Sequence, residues 1–251
     1  MVNFVGAGSG AADLITLRGK SLLEQADVII YAGSLVNPEL LKYARRDCEI
    51  HNSAEMTLDE VISVMEAAEK QAKNTVRLHT GDPSLYGAIR EQMDRLLALG
   101  IQFEICPGVS SFCGAAAPLK AEYTLPGVSQ TVIITRMAGR TDVPVAESIE
   151  ALAAHGSTMV IFLSAGMTGE LSRKLISGGY SHETPAAIVY KATWDDEKVV
   201  RCTGGTLESS ARENNITKTA LITVGGVLGD GYSLSKLYDG SFETGFRKAK
   251  K

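Results

Sequence analysis

Short apolar runs alternate with amphipathic stretches along the first half of the chain. Strands are predicted at Val2–Val5, Val28–Tyr31, Cys48–His51, Asn74–His79 and Ile101–Ile105. Apolar residues at helical spacing predict helices at Leu17–Gln25, Pro38–Ala44, Leu58–Lys73 and Leu85–Leu99, and a further helix after Pro107-Gly108. This alternation favours a parallel sheet covered by helices on both faces, with ligands at the carboxyl ends of the strands.

Capping residues indicate where three of these helices begin. Thr16 is a suitable N-cap, and Asn37 caps a segment with Pro38 at its first position. Thr57 and Glu60 have the spacing of a capping box. We therefore expect helices to begin directly after Thr16, Asn37 and Thr57.

The second half begins a new series of strands after a proline-containing stretch at 117–127. Its strands are predicted at Thr131–Thr135, Met159–Leu163, Ala186–Tyr190, Lys198–Cys202 and Leu221–Val224, with a helix over Val145–Ala154. Asp195-Asp196 predicts the turn of a hairpin. We expect an N-terminal α/β domain (1–117), a linker (118–127), a C-terminal α/β domain (128–240) and a basic tail (241–251).

Composition and charge narrow the class of protein. Of 251 residues, 45% are hydrophobic and 22% charged, as is typical of a soluble α/β enzyme. The net charge of −4 argues against a nucleic-acid partner, and no apolar run approaches the roughly 20 residues of a membrane helix. We find no secretory signal and expect a cytoplasmic protein. The four cysteines and four histidines lack metal-ligand spacing, so we expect reduced thiols and no protein-bound metal.

A glycine-rich loop follows the first strand. Gly6, Gly8, Gly10 and Ala11 satisfy the dinucleotide-binding pattern G-x-G-x-x-G/A. That pattern also requires an acidic residue about 20 positions on, at the end of the second strand. The second strand instead ends in Tyr31-Ala32-Gly33-Ser34. The loop therefore has a use other than ordinary NAD binding.

Other strand ends carry polar residues that admit two interpretations each. Thr80-Gly81-Asp82-Pro83 offers backbone access and acceptors to a ligand, or Asp82 simply caps the next helix. Ser110 and Ser111 offer hydroxyls and N–H groups, or act as helix caps. Arg136 suits a bidentate pair with a carboxylate, or is a surface charge.

Taken together, the segments at the strand ends are more specific than any one alone. They read, in order, GAGSGAADLIT, ADVIIYAGSLVNPELL, HTGDPSLYGAIREQ, PGVSSF, LPGVSQTVIITRMAGRT and PAAIVYKAT. This series closely resembles the tetrapyrrole (class III) S-adenosylmethionine-dependent methyltransferases. YAGSLVNPELL and the LPGVSQTVIITRMAGRT region resemble the subgroup that methylates precorrin-4 or cobalt-precorrin-4 at C-11 in cobalamin biosynthesis.

The resemblance implies two α/β domains, the N-terminal one with a parallel sheet and the C-terminal one with a mixed sheet, and S-adenosylmethionine in a cleft between them. It also implies an open trough for the tetrapyrrole and a homodimer. It implies cofactor contacts from Thr80, Gly81, Asp82, Leu85, Ser110, Ser111, Met137, Leu163, Ala192 and Ala220, with Met137, Leu163, Ala192 and Ala220 on the second-domain side. The substrate-facing residues it suggests are Gly8, Ser9, Gly10, Tyr31, Tyr86, Arg136 and Lys191. Arg136 and Lys191 would meet substrate carboxylates, the two tyrosines would pack against the ring, and any cobalt would be carried by the substrate.

The sequence differs from the family pattern at two places, and two other functions are alternatives to the one that the resemblance implies. The family loop GxGPGDP is replaced here by a loop without proline or aspartate at 6–12. The Tyr-Asp pair of uroporphyrinogen methylases is replaced by Tyr31-Ala32, which argues against that substrate.

One alternative function is that of another methylase of this fold, acting on uroporphyrinogen, a diphthine intermediate or ribosomal RNA. The other is a non-catalytic nucleotide-binding sensor.

Overall fold

The computed structural model describes residues 1–250 and divides into two compact α/β units. The first unit contains Met1–Pro118 together with Lys191–Glu197. The second contains Leu119–Tyr190 and the chain from Lys198 onward. A short segment from late in the sequence is therefore part of the first unit, which the sequence did not predict.

A five-stranded parallel sheet forms the centre of the first unit. Its strands are β1 (Val2–Gly6), β2 (Val28–Tyr31), β3 (Glu49–Asn52), β4 (Thr75–His79) and β5 (Phe103–Cys106). The strand order is β3-β2-β4-β1-β5 and every neighbouring pair is parallel, which confirms the predicted parallel sheet. The loops after β1, β4 and β5 consequently leave the sheet at one edge.

Helices cover both faces of this sheet. They are α1 (Leu17–Gln25), α2 (Leu58–Lys70), α3 (Ile89–Ala98) and α4 (Ser111–Leu119), with 3₁₀ segments at Ala12–Leu14, Pro38–Tyr43 and Ser53–Glu55. The predicted caps are confirmed: Thr16 accepts a hydrogen bond from the Gly19 N–H, and Thr57 and Glu60 form both halves of the capping box. α2 buries Val61, Ile62, Met65 and Ala68, the face that its periodicity predicts.

Several predicted helix boundaries were wrong. The segment after Asn37 is a 3₁₀ helix, and α2 ends at Lys70 because Ala72 adopts φ 54°. α3 begins at Ile89 rather than Leu85, since Tyr86 and Ala88 have φ values of 56° and 49°. α4 continues to Leu119, so the first residues of the expected linker are helical.

A five-stranded mixed sheet forms the centre of the second unit. Its strands are β6 (Val132–Arg136), β7 (Thr158–Phe162), β8 (Pro185–Tyr190), β9 (Lys198–Thr203) and β10 (Ala220–Val224), in the order β6-β7-β10-β8-β9. β6 and β7 are parallel and the other neighbouring pairs are antiparallel. The mixed sheet and the β8–β9 hairpin are therefore confirmed.

Three α-helices pack in the second unit: α5 (Ile149–Ala153), α6 (Thr168–Ser177) and α7 (Leu207–Glu213). The helix predicted over Val145–Ala154 is instead a 3₁₀ turn, Val145–Glu147, followed by α5. Ser148 separates the two because its hydroxyl accepts the Ala151 N–H as an N-cap. Neither α6 nor α7 was predicted from the sequence, although Leu171, Leu175 and Leu207 on these helices are buried in the core.

Within residues 1–250, no helix is both long and apolar enough to cross a lipid bilayer. All four cysteines are free thiols. In the same described part of the chain, no three His, Cys, Asp or Glu side chains are grouped so as to hold a metal ion.

Candidate cofactor and substrate site

Three loops of the first unit come into backbone contact where β1, β4 and β5 end. The N–H of Gly8 donates to the Gly81 carbonyl at 3.3 Å, and the N–H of Gly81 donates to the Gly8 carbonyl at 3.0 Å. A Cβ at Gly6 would lie 2.5 Å from Cα of Gly108. A Cβ at Gly108 would lie 2.2 Å from the Gly81 oxygen. Glycine is required here because the three backbones approach too closely for any side chain.

Asp82 connects two of these loops. Its Oδ2 accepts the N–H of Gly108 at 2.8 Å, and its Oδ1 accepts the N–H of Ser84 at 2.8 Å and the Ser84 hydroxyl. Partial burial would raise the pKa of Asp82, but these hydrogen bonds outweigh it and hold the pKa below its usual value. The carboxylate is therefore ionised and holds the loops after β4 and β5 together, rather than capping a helix at Leu85.

The other predicted cofactor residues of these two loops lie beside Asp82. The N–H of Leu85 donates to the Asp82 carbonyl at 3.2 Å. A Cβ on Gly81 would be 3.3 Å from the Ser111 nitrogen and 3.4 Å from Cα of Ser110. Ser110 is buried, and its carbonyl accepts the N–H groups of Cys113 and Gly114 at the start of α4. The structure thus brings together Gly81, Asp82, Leu85, Ser110 and Ser111, with Thr80 next to them in the chain.

Thr80 has a buried hydroxyl oxygen that makes no hydrogen bond to any of residues 1–250. A buried polar atom without a partner costs free energy, and in native proteins most such atoms have a partner. Thr80 directly follows β4 and precedes the glycine contact with the β1 loop. Its hydroxyl fits a site at which a bound polar molecule supplies the missing partner.

The turn Lys191–Glu197 packs on the glycine loop of the same unit. Oγ1 of Thr193 accepts the N–H of Ala11 at 2.9 Å and lies 3.4 Å from Oγ of Ser9. A Cβ at Gly10 would be 2.4 Å from the Ala192 oxygen. Ala192 and Lys191 were predicted to lie in the second domain, and this was wrong because the turn is part of the first unit.

Lys191 has its charge compensated within that turn. Its Nζ lies 2.6 Å from Oδ2 of Asp196 and 5.2 Å from the centre of the Trp194 ring. An ion pair and a cation–π contact both hold the ammonium group in place. A role of Lys191 toward a substrate carboxylate would compete with this ion pair, and it stays a prediction.

The two tyrosines predicted to face the substrate also belong to the first unit. Tyr31 is partly buried at the end of β2, where its carbonyl accepts the Ser53 hydroxyl at 3.1 Å. Tyr86 is exposed and lies in the left-handed region of backbone conformation. Because β2 and β4 are parallel neighbours, the carboxyl end of β2, where Tyr31 lies, and the carboxyl end of β4, which precedes the turn of Tyr86, are at the same edge of the sheet.

Three predicted cofactor residues share one edge of the second unit's sheet. Met137 follows β6 and Leu163 follows β7, and these strands are parallel. Ala220 begins β10, which is antiparallel to β7 with Ile222 opposite Ile161, so the start of β10 lies at the edge of the sheet where β7 ends. Leu163 is 61% exposed with φ 54°, an unusual conformation for a leucine. Contact of these residues with the cofactor stays a prediction.

Arg136 braces the loop that follows β6. Its Nη1 donates to the carbonyls of Met137 and Thr141, each at 3.1 Å, and its Nη2 donates to the Asp142 carbonyl at 2.8 Å. Arginine has five N–H donors, so only the remaining ones are left for a carboxylate. Arg136 therefore holds its own loop, a role that the sequence analysis did not consider.

Sequence reasoning also missed a buried polar group on β4. Arg77, His79 and Gln92 are all buried. Burial, and secondarily the charge of Arg77, lowers the pKa of His79 to about 3. The available signal was an alternation of polar residues, Arg77 and His79, with apolar ones in a strand that otherwise has the pattern of a core element.

Comparison with known proteins agrees with this architecture. The family model of the tetrapyrrole (corrin/porphyrin) methylases matches residues 1–208. The cobalt-precorrin-4 C(11)-methyltransferase of Methanocaldococcus jannaschii is 56% identical over 100% of this chain and 97% of its own. The protein of the same name from Priestia megaterium is 46% identical over 98% of this chain and 97% of its own.

Among solved structures, the X-ray structure of the cobalamin biosynthetic enzyme cobalt precorrin-4 methyltransferase, CbiF, matches with a TM-score of 0.89. Its sequence identity is 45%, and the match covers 91% of this chain and 96% of that one. The family model spans most of the sequence. The chain belongs to the tetrapyrrole (corrin/porphyrin) methylases.

Proposed function

We propose that this protein methylates C-11 of cobalt-precorrin-4 with S-adenosylmethionine, giving cobalt-precorrin-5 and S-adenosylhomocysteine in cobalamin biosynthesis. The observation that carries the proposal is full-length similarity, at 56% and 46% identity, to two cobalt-precorrin-4 C(11)-methyltransferases. The absence of a carboxylate after Tyr31 further favours this substrate over uroporphyrinogen.

The loops after β4 and β5 fit the methyl donor by their chemistry. Thr80 supplies a buried hydroxyl in need of a partner, and Ser110 and Ser111 lie at the N-terminus of α4. Asp82 holds these loops together through Gly108 and Ser84, so the polar groups are already oriented before a ligand arrives. S-adenosylmethionine supplies an electrophilic methyl group on a sulfonium.

The proposed chemistry is an in-line displacement. A carbon–carbon bond forms between C-11 and the methyl carbon as the carbon–sulfur bond breaks, and the electron pair of that bond goes to sulfur. The positive charge passes from the sulfonium to the macrocycle, which becomes neutral again by releasing one proton to solvent. C-11 is an enamine-like carbon and already nucleophilic, so positioning and exclusion of water supply most of the rate enhancement. The protein's part is to orient both reactants; Tyr31 and Tyr86 are proposed to pack against the macrocycle.

Cobalt is proposed to arrive with the macrocycle, which holds it through its own nitrogens. The comparison of metal-containing with metal-free precorrin-4 as acceptors is therefore a test of substrate choice, not of a protein metal site. We expect faster methylation of the cobalt form, and equal rates would remove cobalt from the proposal.

A homodimer in the cytoplasm completes the proposal. The free state of all four cysteines fits a reducing compartment. Leu234, Tyr238 and Phe246 are exposed apolar side chains on the segment after β10, and a second copy would cover such a surface. Light scattering of the purified protein tests this: a monomer at micromolar concentration would contradict it.

Calorimetric titration with S-adenosylhomocysteine is the decisive first experiment, with NAD and ATP as controls. We expect tight binding of S-adenosylhomocysteine alone, followed by transfer of one methyl group to cobalt-precorrin-4 detected by mass spectrometry. Binding of NAD or ATP instead would favour the nucleotide-binding sensor. Methylation of uroporphyrinogen III in preference to cobalt-precorrin-4 would place the chain with a different methylase of this fold.

A further inference from the structure

Arg77 is a buried arginine in the middle of a sheet, with no carboxylate partner among residues 1–250. Only 7% of it is exposed, and burial lowers its pKa to about 10, so it stays charged at neutral pH. Its Nε donates to Oε1 of Gln92 at 3.1 Å, and its Nη1 donates to the Ile30 carbonyl at 3.2 Å.

A buried charge of this kind is costly for folding. Desolvation of a guanidinium is only partly repaid by neutral acceptors, and apolar replacements of buried charged groups are often neutral or stabilising. Stability of the sheet is therefore a poor reason for Arg77 to occupy this position. Its hydrogen-bond partners indicate a better one.

The first partner leads to the turn 82–88, the segment between Asp82 and the first residue of α3. Gln92 is itself buried, and its Nε2 donates to the Ala88 carbonyl at 3.0 Å. Tyr86 and Ala88 adopt φ 56° and 49°, which non-glycine residues maintain only where the surroundings hold them. The chain Arg77–Gln92–Ala88 ends on this strained turn.

The second partner leads to the end of β2. The Ile30 carbonyl that accepts from Arg77 immediately precedes Tyr31. One guanidinium is thus hydrogen-bonded to the strand that carries Tyr31 and, through Gln92, to the turn that carries Tyr86. Both are tyrosines of the proposed substrate site.

We infer that Arg77 and Gln92 are positioning residues, which hold the turn 82–88 and the end of β2 in the conformation that binds the reactants. The inference rests on the proposed function, because that function places the loop of Asp82 beside the methyl donor and Tyr31 and Tyr86 against the macrocycle. Neither Arg77 nor Gln92 contacts a reactant in this scheme; each acts through the backbone that it holds.

Gln92→Glu separates positioning from folding. The carboxylate still accepts from Arg77, now as an ion pair, but it has no N–H to donate to the Ala88 carbonyl. We expect a melting temperature at or above that of the unaltered protein. The Kd for S-adenosylhomocysteine and the KM for cobalt-precorrin-4 should each rise about tenfold, the cost of one lost hydrogen bond.

Arg77→Met is the companion variant. It removes both hydrogen bonds of the guanidinium and, unlike Gln92→Glu, introduces no carboxylate. Arg90→Met is the control for removal of an arginine, on the helix α3 that also carries Gln92, because the Arg90 side chain is 84% exposed and pairs with Asp94 at the surface. Binding and turnover should fall in Arg77→Met and stay unchanged in Arg90→Met. Should Arg77→Met fail to fold, Gln92→Glu still decides.

Hydrogen exchange gives a readout that needs no ligand. The N–H groups of Ser84 and Leu85 are hydrogen-bonded to Asp82, and we expect both to exchange faster in Gln92→Glu than in Arg90→Met. Unchanged exchange with unchanged Kd and KM would overturn the inference. Absence of S-adenosylhomocysteine binding by the unaltered protein would instead overturn the proposed function. The exchange rates of the Ser84 and Leu85 N–H groups in the two variants would still test whether Gln92 holds the turn.

Discussion

Both carboxylate oxygens of Asp82 accept hydrogen bonds from protein groups, namely the N–H of Gly108 and the N–H and hydroxyl of Ser84. Its effect on a ligand is therefore largely indirect. An alanine at this position releases the Gly108 N–H and the Ser84 N–H together. The loops after β4 and β5 would then lose the contact that aligns them, although the glycine packing between them would remain. At the scale of single residues, the site is therefore built from groups that orient backbone.

We predict that Asp82→Ala abolishes measurable binding of S-adenosylhomocysteine in a calorimetric titration. The physical reason is the loss of three charge-assisted hydrogen bonds, two of them from the backbone N–H groups of Gly108 and Ser84, that preorganise the loops. Ser84→Ala is the control: it removes one hydroxyl contact and should weaken binding far less. Full affinity in Asp82→Ala would show that the loops are aligned without it.

At the scale of elements, helix ends and turns hold the site's framework. The capping box of Thr57 and Glu60 satisfies N–H groups at the start of α2, which packs its buried face on the first sheet. We predict that Thr57→Ala lowers the free energy of unfolding by about 1 kcal/mol, measured by urea denaturation. Ser63→Ala, at an exposed position within the same helix, should leave it nearly unchanged; an equal loss in both variants would contradict the capping argument.

The turn Lys191–Glu197 is the element that holds the glycine loop. We predict that Thr193→Val raises the KM for the tetrapyrrole about tenfold, because valine keeps the shape of threonine but cannot accept the Ala11 N–H. Thr193→Ser retains the acceptor and should behave like the unaltered protein in the same steady-state assay. Equal KM values for the two variants would mean that the loop is held by packing alone.

At the scale of the whole molecule, the neutral buried histidine on β4 couples stability to pH. The native pKa of His79 is about 3, below the ordinary value of 6.5. Between these two pH values the side chain binds a proton in the unfolded chain but not in the native protein. His79 therefore does not lower the free energy of unfolding above pH 6.5, and lowers it progressively as the pH falls from 6.5 toward 3. The slope is about 1.4 kcal/mol per pH unit for one proton.

We predict that His79→Gln reduces the loss of stability between pH 7 and pH 5 by about 2 kcal/mol, measured by urea denaturation at both pH values. Glutamine is polar but does not titrate, so it removes the proton uptake while preserving a side chain of similar length. His155→Gln, at an exposed position, is the control for removal of a histidine. An unchanged pH dependence in His79→Gln would place the proton uptake elsewhere.

Much of this architecture was predictable because it depends on neighbours in sequence. The two sets of strands, the caps at Thr16 and Thr57, the buried face of α2 and the β8–β9 hairpin are local patterns, and these predictions were confirmed. The start of α3 was not, since Leu85 belongs to a turn that continues through left-handed residues to Ala88. Propensity favours a helix there, and tertiary contacts overrode it.

The amino-acid sequence by itself determined the two sheets, the loops at the carboxyl ends of the strands and the family, because these follow from local patterning and ordered motifs. Only the tertiary structure decided which partners the polar groups of the site have. Thr193 lies 182 positions from Ala11, and Arg77 lies 47 from Ile30, yet each pair is hydrogen-bonded. Periodicity and propensity describe near neighbours, and contacts of this kind exist only once the chain has folded.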